Sequence, residues 1–236
     1  MLEAFIDPKI YEIYPDYQVV LVRLTGIKGQ TSNDFTEKLL VQAEQIGKEL
    51  LSSTQLEAID EITTWRNAYL KFGVKQRVAR SSYESLLRRC EKGVPRIDLI
   101  TDLYNYISIK HRLPIGGEDF SKYSGKPKLM IADGDENFET VLEGKPHIEH
   151  PDKGEVIWMD DLGVTCRRWN WRQCTRTHLN TQTEDALFIF DGLGSNVETI
   201  LQNASSELIG HAQTLWTDLE FEQIKYSIDG QKTHLL

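Results

Sequence analysis

The chain has 236 residues, 40% hydrophobic and 27% charged, which suits a soluble globular protein of one large domain or two small ones. Its formal net charge of −9 excludes nonspecific nucleic-acid binding over the whole surface, which needs a broad basic field, and leaves room only for a local basic patch. Three cysteines (Cys90, Cys166, Cys174) are odd in number and lack CxxC spacing, so neither a disulfide framework nor a zinc site is indicated. No cofactor is expected. The opening MLEAFIDPKI lacks a basic stretch followed by an apolar one, and no run approaches the roughly 20 apolar residues of a membrane span. The expectation is a reduced, cytoplasmic protein with no membrane partner and no DNA partner.

Tyr17–Ile27 is rich in valine and leucine between Pro15 and Gly26, which predicts a well-buried strand. Phe35, Leu39, Ala43, Ile46 and Leu50 recur at helical spacing and predict a helix from Asp34 to about Leu51. Thr54 and Glu57 have the spacing of a capping box and open a second helix through Trp65 and Tyr69, ended by Gly73. Ser81 and Glu84 repeat that pattern for a helix closed by Gly93 and Pro95. Another helix covers about Asp98 to Lys110, and Leu113–Phe120 (LPIGGEDF) reads as a loop.

The second half changes character. Lys128–Ala132, Glu155–Met159, Val164–Trp171 and Ala186–Phe190 read as strands. Ser195 with Glu198 starts a helix to about Trp216, and Phe221–Ile228 alternates as a final strand. Helices early and strands late predict an α+β fold, taken as a single domain from 1 to 236.

The densest chemistry lies in Gly163–Thr183, which holds Arg167, Arg168, Arg172, Arg176, Trp169, Trp171 and His178 with no acidic residue. In an extended strand, Arg167, Trp169, Trp171 and Gln173 would share one face, and Arg168, Asn170, Arg172 and Cys174 the other. Such a strand either presents guanidinium groups to a cavity or is core, its arginines paired with acids elsewhere. Three other chemistries find little support. DGLGSN lacks the GxSxG spacing of a nucleophile elbow, so Ser195 reads as a helix cap. His147 and His150 lack a third metal ligand. Gly116-Gly117 precedes Glu118-Asp119, whose charge repels phosphate. What is left is water positioned by neutral groups, for which Asn170, Gln173, Thr175, Thr177, His178, Asn180, Thr181 and Thr183 are available.

Five segments in order carry a family resemblance. They are WRNAYLKFGVK (Trp65–Lys75), RSSYESLLRRCEKGVPRID (Arg80–Asp98), LITDLYNYISIKHRLPIGGEDFSKYSG (Leu99–Gly125), GEVIWMDDLGVTCRRWNWRQCTRTHLNTQT (Gly154–Thr183) and ALFIFDGL after it. Together they resemble freestanding proteins similar to the editing module of the phenylalanyl-tRNA synthetase β chain, the B-three/B-four tRNA-binding domain. The resemblance is strongest from Trp65 to Leu193. It implies an α+β fold whose mixed sheet and surrounding helices enclose a pocket. In the synthetase that pocket hydrolyses tyrosine wrongly attached to the phenylalanine tRNA. No glutamate stands between Glu155 and Glu184, so the synthetase's discrimination of tyrosine does not carry over.

On this resemblance, the first reading is a trans-editing hydrolase for mischarged tRNA. Arg167, Arg168, Arg172 and Arg176 would hold a phosphate or carboxylate, and His178, Asn105, Ser108 and Asp119 would complete the substrate wall. Asn170, Gln173 and Thr175 would orient water and the ester carbonyl, while Arg77, Arg80, Arg88 and Arg89 could dock the tRNA. The alternatives are a non-catalytic module for tRNA, an amino acid or a small carboxylate, and a purely structural role with arginines paired to acids such as Asp160 and Asp161. The discriminating feature is whether Arg168, Asn170 and Arg172 face a cavity without a carboxylate partner.

Overall fold

The apolar run Tyr17–Ile27 becomes a strand buried on both faces, and the other elements are layered on its two sides. The structure is a computed structural model that describes residues 1–227 and 232–234. The chain begins with β1 (Phe5–Ile6), α1 (Pro8–Ile13), β2 (Gln18–Thr25) and α2 (Asp34–Ser53). Then come α3 (Asp60–Lys71), α4 (Ser82–Leu87), α5 (Leu99–His111) and β3 (Ile115–Asp119). The strand-rich part holds β4 (Lys128–Ile131), β5 (Phe138–Leu142), β6 (Lys145–Glu149), β7 (Val156–Met159), β8 (Val164–Arg167) and β9 (Arg172–Gln173). It ends with β10 (Asp185–Gly192), α6 (Val197–Leu215), β11 (Glu220–Tyr226) and β12 (Lys232–His234).

One sheet has the order β12-β11-β2-β10-β3 and a second the order β1-β4-β7-β8-β9. The hairpin β5–β6 stands apart. All recorded pairings are antiparallel except β1 with β4. On one face of the first sheet, Val20, Val22, Phe188 and Phe190 pack with Leu40, Leu103 and Leu208 of α2, α5 and α6. On the other, Val19, Leu21, Leu187 and Ile189 pack with Leu129, Val156, Trp158 and Trp169 of the second sheet and its hairpin. This layering, helices over sheet over sheet, is why β2 and β10 read as continuous apolar runs: both their faces are covered. The fold is α+β. No helix among the described residues is long and apolar enough to cross a membrane.

Several predicted boundaries hold at the cap residue. Ser81 accepts the Glu84 N–H at the start of α4, and Asp98 accepts from Thr101 at the start of α5. Others are corrected. Thr54 ends α2 instead of opening a helix, and a 3-10 turn over Leu56–Ala58 leads into α3, whose cap is Ile59. Ser195 is not the cap of α6; Asn196 occupies that position in the left-handed region with no side-chain bond. α4 stops at Leu87, and turns carry the chain on to Gly93. Leu113–Phe120 is not a loop, because Ile115–Phe190 and four further residue pairs join it to β10 as a sheet edge. Its glycine pair suits close packing: a Cβ on Gly117 would meet Leu179 at 2.7 Å and Tyr104 at 2.8 Å. Composition gave no sign of β1, α1 or the β5–β6 hairpin. Ile228, the predicted end of the last strand, lies outside the described residues.

Candidate functional site

The strand expected over Val164–Trp171 ends at Arg167, where a tight turn folds the chain back so that Cys166 pairs with Gln173 and Arg167 with Arg172. Arg168 and Trp169 make the turn with φ of 48° and 67°, a left-handed conformation that costs about 1 kcal/mol or more per non-glycine residue. Burial of Trp169 holds it there. The indole is fully buried, its ring centroid 4.8 Å from Tyr14, 4.9 Å from Tyr17 and 5.2 Å from Trp65, all edge-on. Burying an aromatic side chain contributes about 1.5–3 kcal/mol, comparable with the cost of the turn. The alternation of faces expected for an extended strand therefore does not hold.

The turn sends the arginines toward carboxylates. Arg167 makes a two-pronged contact with Glu155, at 3.1 and 2.8 Å, and reaches Glu149 at 3.1 Å. Glu155 is 0% exposed and also accepts the Arg168 N–H at 2.8 Å. The Arg168 guanidinium meets Asp152 at 3.4 Å, and Arg172 bonds Glu149. Arg176 grips buried Asp160 with two bonds, at 2.8 and 2.9 Å, and reaches Glu139 at 3.1 Å. Asp161 instead pairs with Lys128. All four arginines of the run are thus neutralised, and Arg168 and Arg172 also stack on Trp171, 4.3 and 4.8 Å from its centroid.

Beside this hairpin, α4, α5 and β3 border an open cavity of about 220 Å³. Leu86, Ile97, Tyr104, Ile115 and Trp171 give it apolar walls. Ser82, Ser85, Thr101, Asn105, Asn170 and Gln173 supply its polar ones. Thr101 is committed to Asp98, and Gln173 Nε2 donates to Gly117 O at 2.8 Å, which leaves Gln173 Oε1 as an acceptor without a donor among the described residues. Asn170 is locked: Tyr69 donates to its Oδ1 at 2.9 Å, and its Nδ2 donates to Asp191 at 3.4 Å. Asn105 differs. It is only 6% exposed, lines the cavity and makes no side-chain hydrogen bond among the described residues. Buried amides are almost always paired, with protein or with water, and this one faces the cavity. Arg89 stands exposed in the lining, the single charged residue there and without an ion pair among the described residues.

Of the polar residues the sequence singled out, Arg89, Asn105, Asn170 and Gln173 come together here. The rest do not line the cavity. Ser108 donates to Leu113 O at 2.7 Å, and Asp119 accepts from Ser121 and Thr183, so both tie loops in place. Thr175 and His178 are exposed, His178 on an isolated bridge to Glu118. Arg80 and Arg88 reach Glu84, which Arg66 also grips. Cys166 lines the cavity, but burial pushes its thiol well above the usual range, so it stays protonated and weakly nucleophilic.

Two buried carboxylates flank Cys166, and sequence reasoning missed both. Burial pushes Glu118 up to about 7, against hydrogen bonds from Tyr123, Thr177 and Thr165 that lower it. Burial likewise pushes Asp191 up to about 7, against Tyr17 and Asn170. Asp191 was concealed within an apolar strand, and Glu118 in a segment read as a loop. Elsewhere, Ser195 lines a separate cavity of about 180 Å³ with no hydrogen-bonded base among the described residues. His147 is exposed, and His150 contacts only the Glu136 carbonyl, at 3.0 Å. Among the described residues no cluster of three or more His, Cys, Asp or Glu could hold a metal.

Comparison with known proteins bears on this architecture. A solved N-terminal fragment of the phenylalanyl-tRNA synthetase beta-subunit from Pyrococcus horikoshii is similar over 100% of this chain and 54% of that one, with 12% identity and a TM-score of 0.49. The chain thus spans about half the length of that fragment. A comparison with curated proteins finds no match. Residues 64–206, well over half of the chain and including every residue that lines the cavity, match the family described as the B3/4 domain. The chain belongs to the B3/4 domain family.

Proposed function

We propose that this protein receives the aminoacyl end of a tRNA in the cavity beside the β8–β9 hairpin and hydrolyses the ester of a mischarged species. The observation that carries the reading is Asn105, a buried amide that lines the cavity and makes no side-chain hydrogen bond among the described residues. Family membership and the resemblance of Trp65–Leu193 to synthetase editing modules supply the substrate class. Aminoacyl esters are already activated, so one well-placed water in a site that excludes bulk solvent suffices. Asn105 and the Gln173 Oε1 acceptor would hold that water. The second Nδ2 hydrogen of Asn170, fixed in direction by Tyr69 and Asp191, would meet the acyl carbonyl. Arg89 would meet phosphate at the mouth.

A second reading, binding without hydrolysis, is favoured by one observation: the cavity lining holds no carboxylate or imidazole to act as general base. The test is deacylation of correctly and incorrectly charged tRNAs, with Asn105→Ala and Gln173→Ala beside the unaltered protein. Cleavage of one mischarged species that both folded variants lose supports the editing reading. Binding of the charged tRNA end without cleavage supports the second. Loss of neither activity in the variants removes the cavity from both.

A further inference from the structure

We infer that the exposed basic residues on either side of α4 (Lys75, Arg77 and Arg80 before it, Arg88, Arg89 and Lys92 after it) form the surface on which a base-paired RNA stem lies while its 3′ end enters the cavity. The inference rests on the reading above in taking that end as the ligand.

Residues 71–96 hold eight lysines and arginines against two glutamates, in a chain of formal net charge −9. Folding neutralises only part of this excess. Lys71 donates to the Ile13 carbonyl at 2.9 Å, and Arg96 pairs with Glu37 and Glu44. Glu84, 1% exposed, is gripped by buried Arg66 with two bonds, at 3.0 and 2.8 Å. Arg80 and Arg88 reach the same carboxylate from outside, at 3.5 and 2.9 Å. One negative charge thus faces three positive ones, and Arg80 and Arg88 keep a net positive field. Lys75, Arg77, Arg89 and Lys92 are exposed and without an ion pair among the described residues, and Glu91 is the one exposed acid between them. The arginines of Gly163–Thr183 are the opposite case, since each faces a carboxylate.

This surface stands at the cavity mouth. Ser82, Ser85 and Arg89 line the cavity, and the Ser82 N–H donates to the Asn170 carbonyl at 3.0 Å, tying the start of α4 to the β8–β9 turn. Val74 and Ala79 are buried in the cluster that holds Trp169, which turns the residues between them outward. The six residues of α4 rise about 9 Å and separate the two groups of three. Single-stranded nucleic acid is held by stacking its bases on aromatic side chains. Phe72 and Tyr83, the aromatics of this segment, pack inward. Phosphate contacts without stacking suit the backbone of a stem, and the negative charge over the rest of the chain repels RNA elsewhere.

Fluorescence anisotropy with a labelled, unacylated RNA hairpin ending in an unpaired 3′ CCA tests this on the whole protein. Affinity should fall steeply with salt, with a logarithmic slope of about 0.9 per phosphate contact. Lys75→Glu with Arg77→Glu, and separately Arg89→Glu with Lys92→Glu, should each weaken binding by about tenfold or more and flatten the slope by about two. Lys9→Glu with Lys145→Glu makes the same change of charge on α1 and on the β5–β6 hairpin, and should leave affinity and slope unaltered. Melting curves check that each variant folds, and glutamine at the same positions around α4 should give a smaller loss in the same direction. Affinity independent of salt, equal losses in the Lys9 and Lys145 variant, or equally tight binding of an unpaired RNA of the same length overturns the inference. If the hairpin binds in this way while no mischarged ester is cleaved, the hydrolytic reading fails and the surface stands. If esters are cleaved while charge reversal around α4 leaves the slope unchanged, the surface fails and the hydrolytic reading stands.

Discussion

Asn170 Nδ2 donates to Asp191 Oδ2 at 3.4 Å, and this contact forms a wall between two cavities: Asn170 lines the larger and Asp191 the smaller. Tyr69 and Tyr17 hold the outer ends of the pair, so four polar side chains share one buried network. Removing a member leaves the others unpaired, at about 1–3 kcal/mol each. Asn170→Ala should lower the unfolding midpoint. Asn170→Asp should lower it further as pH rises from 5 to 8, because two buried carboxyls then compete to ionise. Thermal unfolding at the two pH values checks this, and equal losses at both would show that the residues are not coupled.

Glu118 should make the protein less stable as pH rises. Its folded carboxyl is pushed to about 7 by burial, above its unfolded value, so below pH 4 it is protonated in both states and carries no penalty. Between about 4 and 7 the unfolded chain releases the proton while the native state keeps it, and stability falls. Glu118→Gln removes this slope, gaining up to about 3 kcal/mol relative to the unaltered protein by pH 7.5. Urea unfolding at pH 4.5, 6 and 7.5 reads the difference, and parallel curves would assign the slope to other groups.

The ion pairs of the hairpin should differ in strength by burial. Arg167→Ala leaves Glu155, which is 0% exposed, without its two-pronged partner and should cost about 3–5 kcal/mol. Arg172 pairs with the more exposed Glu149, and Arg172→Ala should cost about 1 kcal/mol or less. Chemical denaturation of the two variants distinguishes them. Similar losses would mean that Glu155 finds another partner.

Asn105 and Ser108 lie three residues apart on α5 and should respond in opposite ways. Asn105→Ala removes no hydrogen bond among the described residues, so the unfolding midpoint should hold while ligand binding falls tenfold or more. Ser108→Ala loses the bond to Leu113 O and should cost about 1 kcal/mol with binding unchanged. Paired melting and titration curves test both halves.

Local chemistry is legible in the sequence wherever neighbours a few residues apart decide it. The apolar runs of β2 and β10 mark strands covered on both faces, Ser81 and Asp98 mark helix starts, and five ordered segments carry the family resemblance. Asn170 and Gln173 are recognisable as candidates by residue type, and Asn105 enters only with the editing reading that the resemblance suggests. The sequence does not reveal their surroundings. Nothing local makes Arg168 and Trp169 turn left-handed; that follows from the cavity that Tyr14, Tyr17 and Trp65 form around one indole, drawn from the α1–β2 connection and from α3, both far away in sequence. The partners of the arginines, 12 to 18 residues away for Arg167, and the 21-residue reach from Asn170 to Asp191 are equally tertiary. Charge counted along the chain makes Gly163–Thr183 a basic patch. Folding places a carboxylate against each of its arginines, because a buried charge is tolerated only when paired, and the site is left to neutral amides.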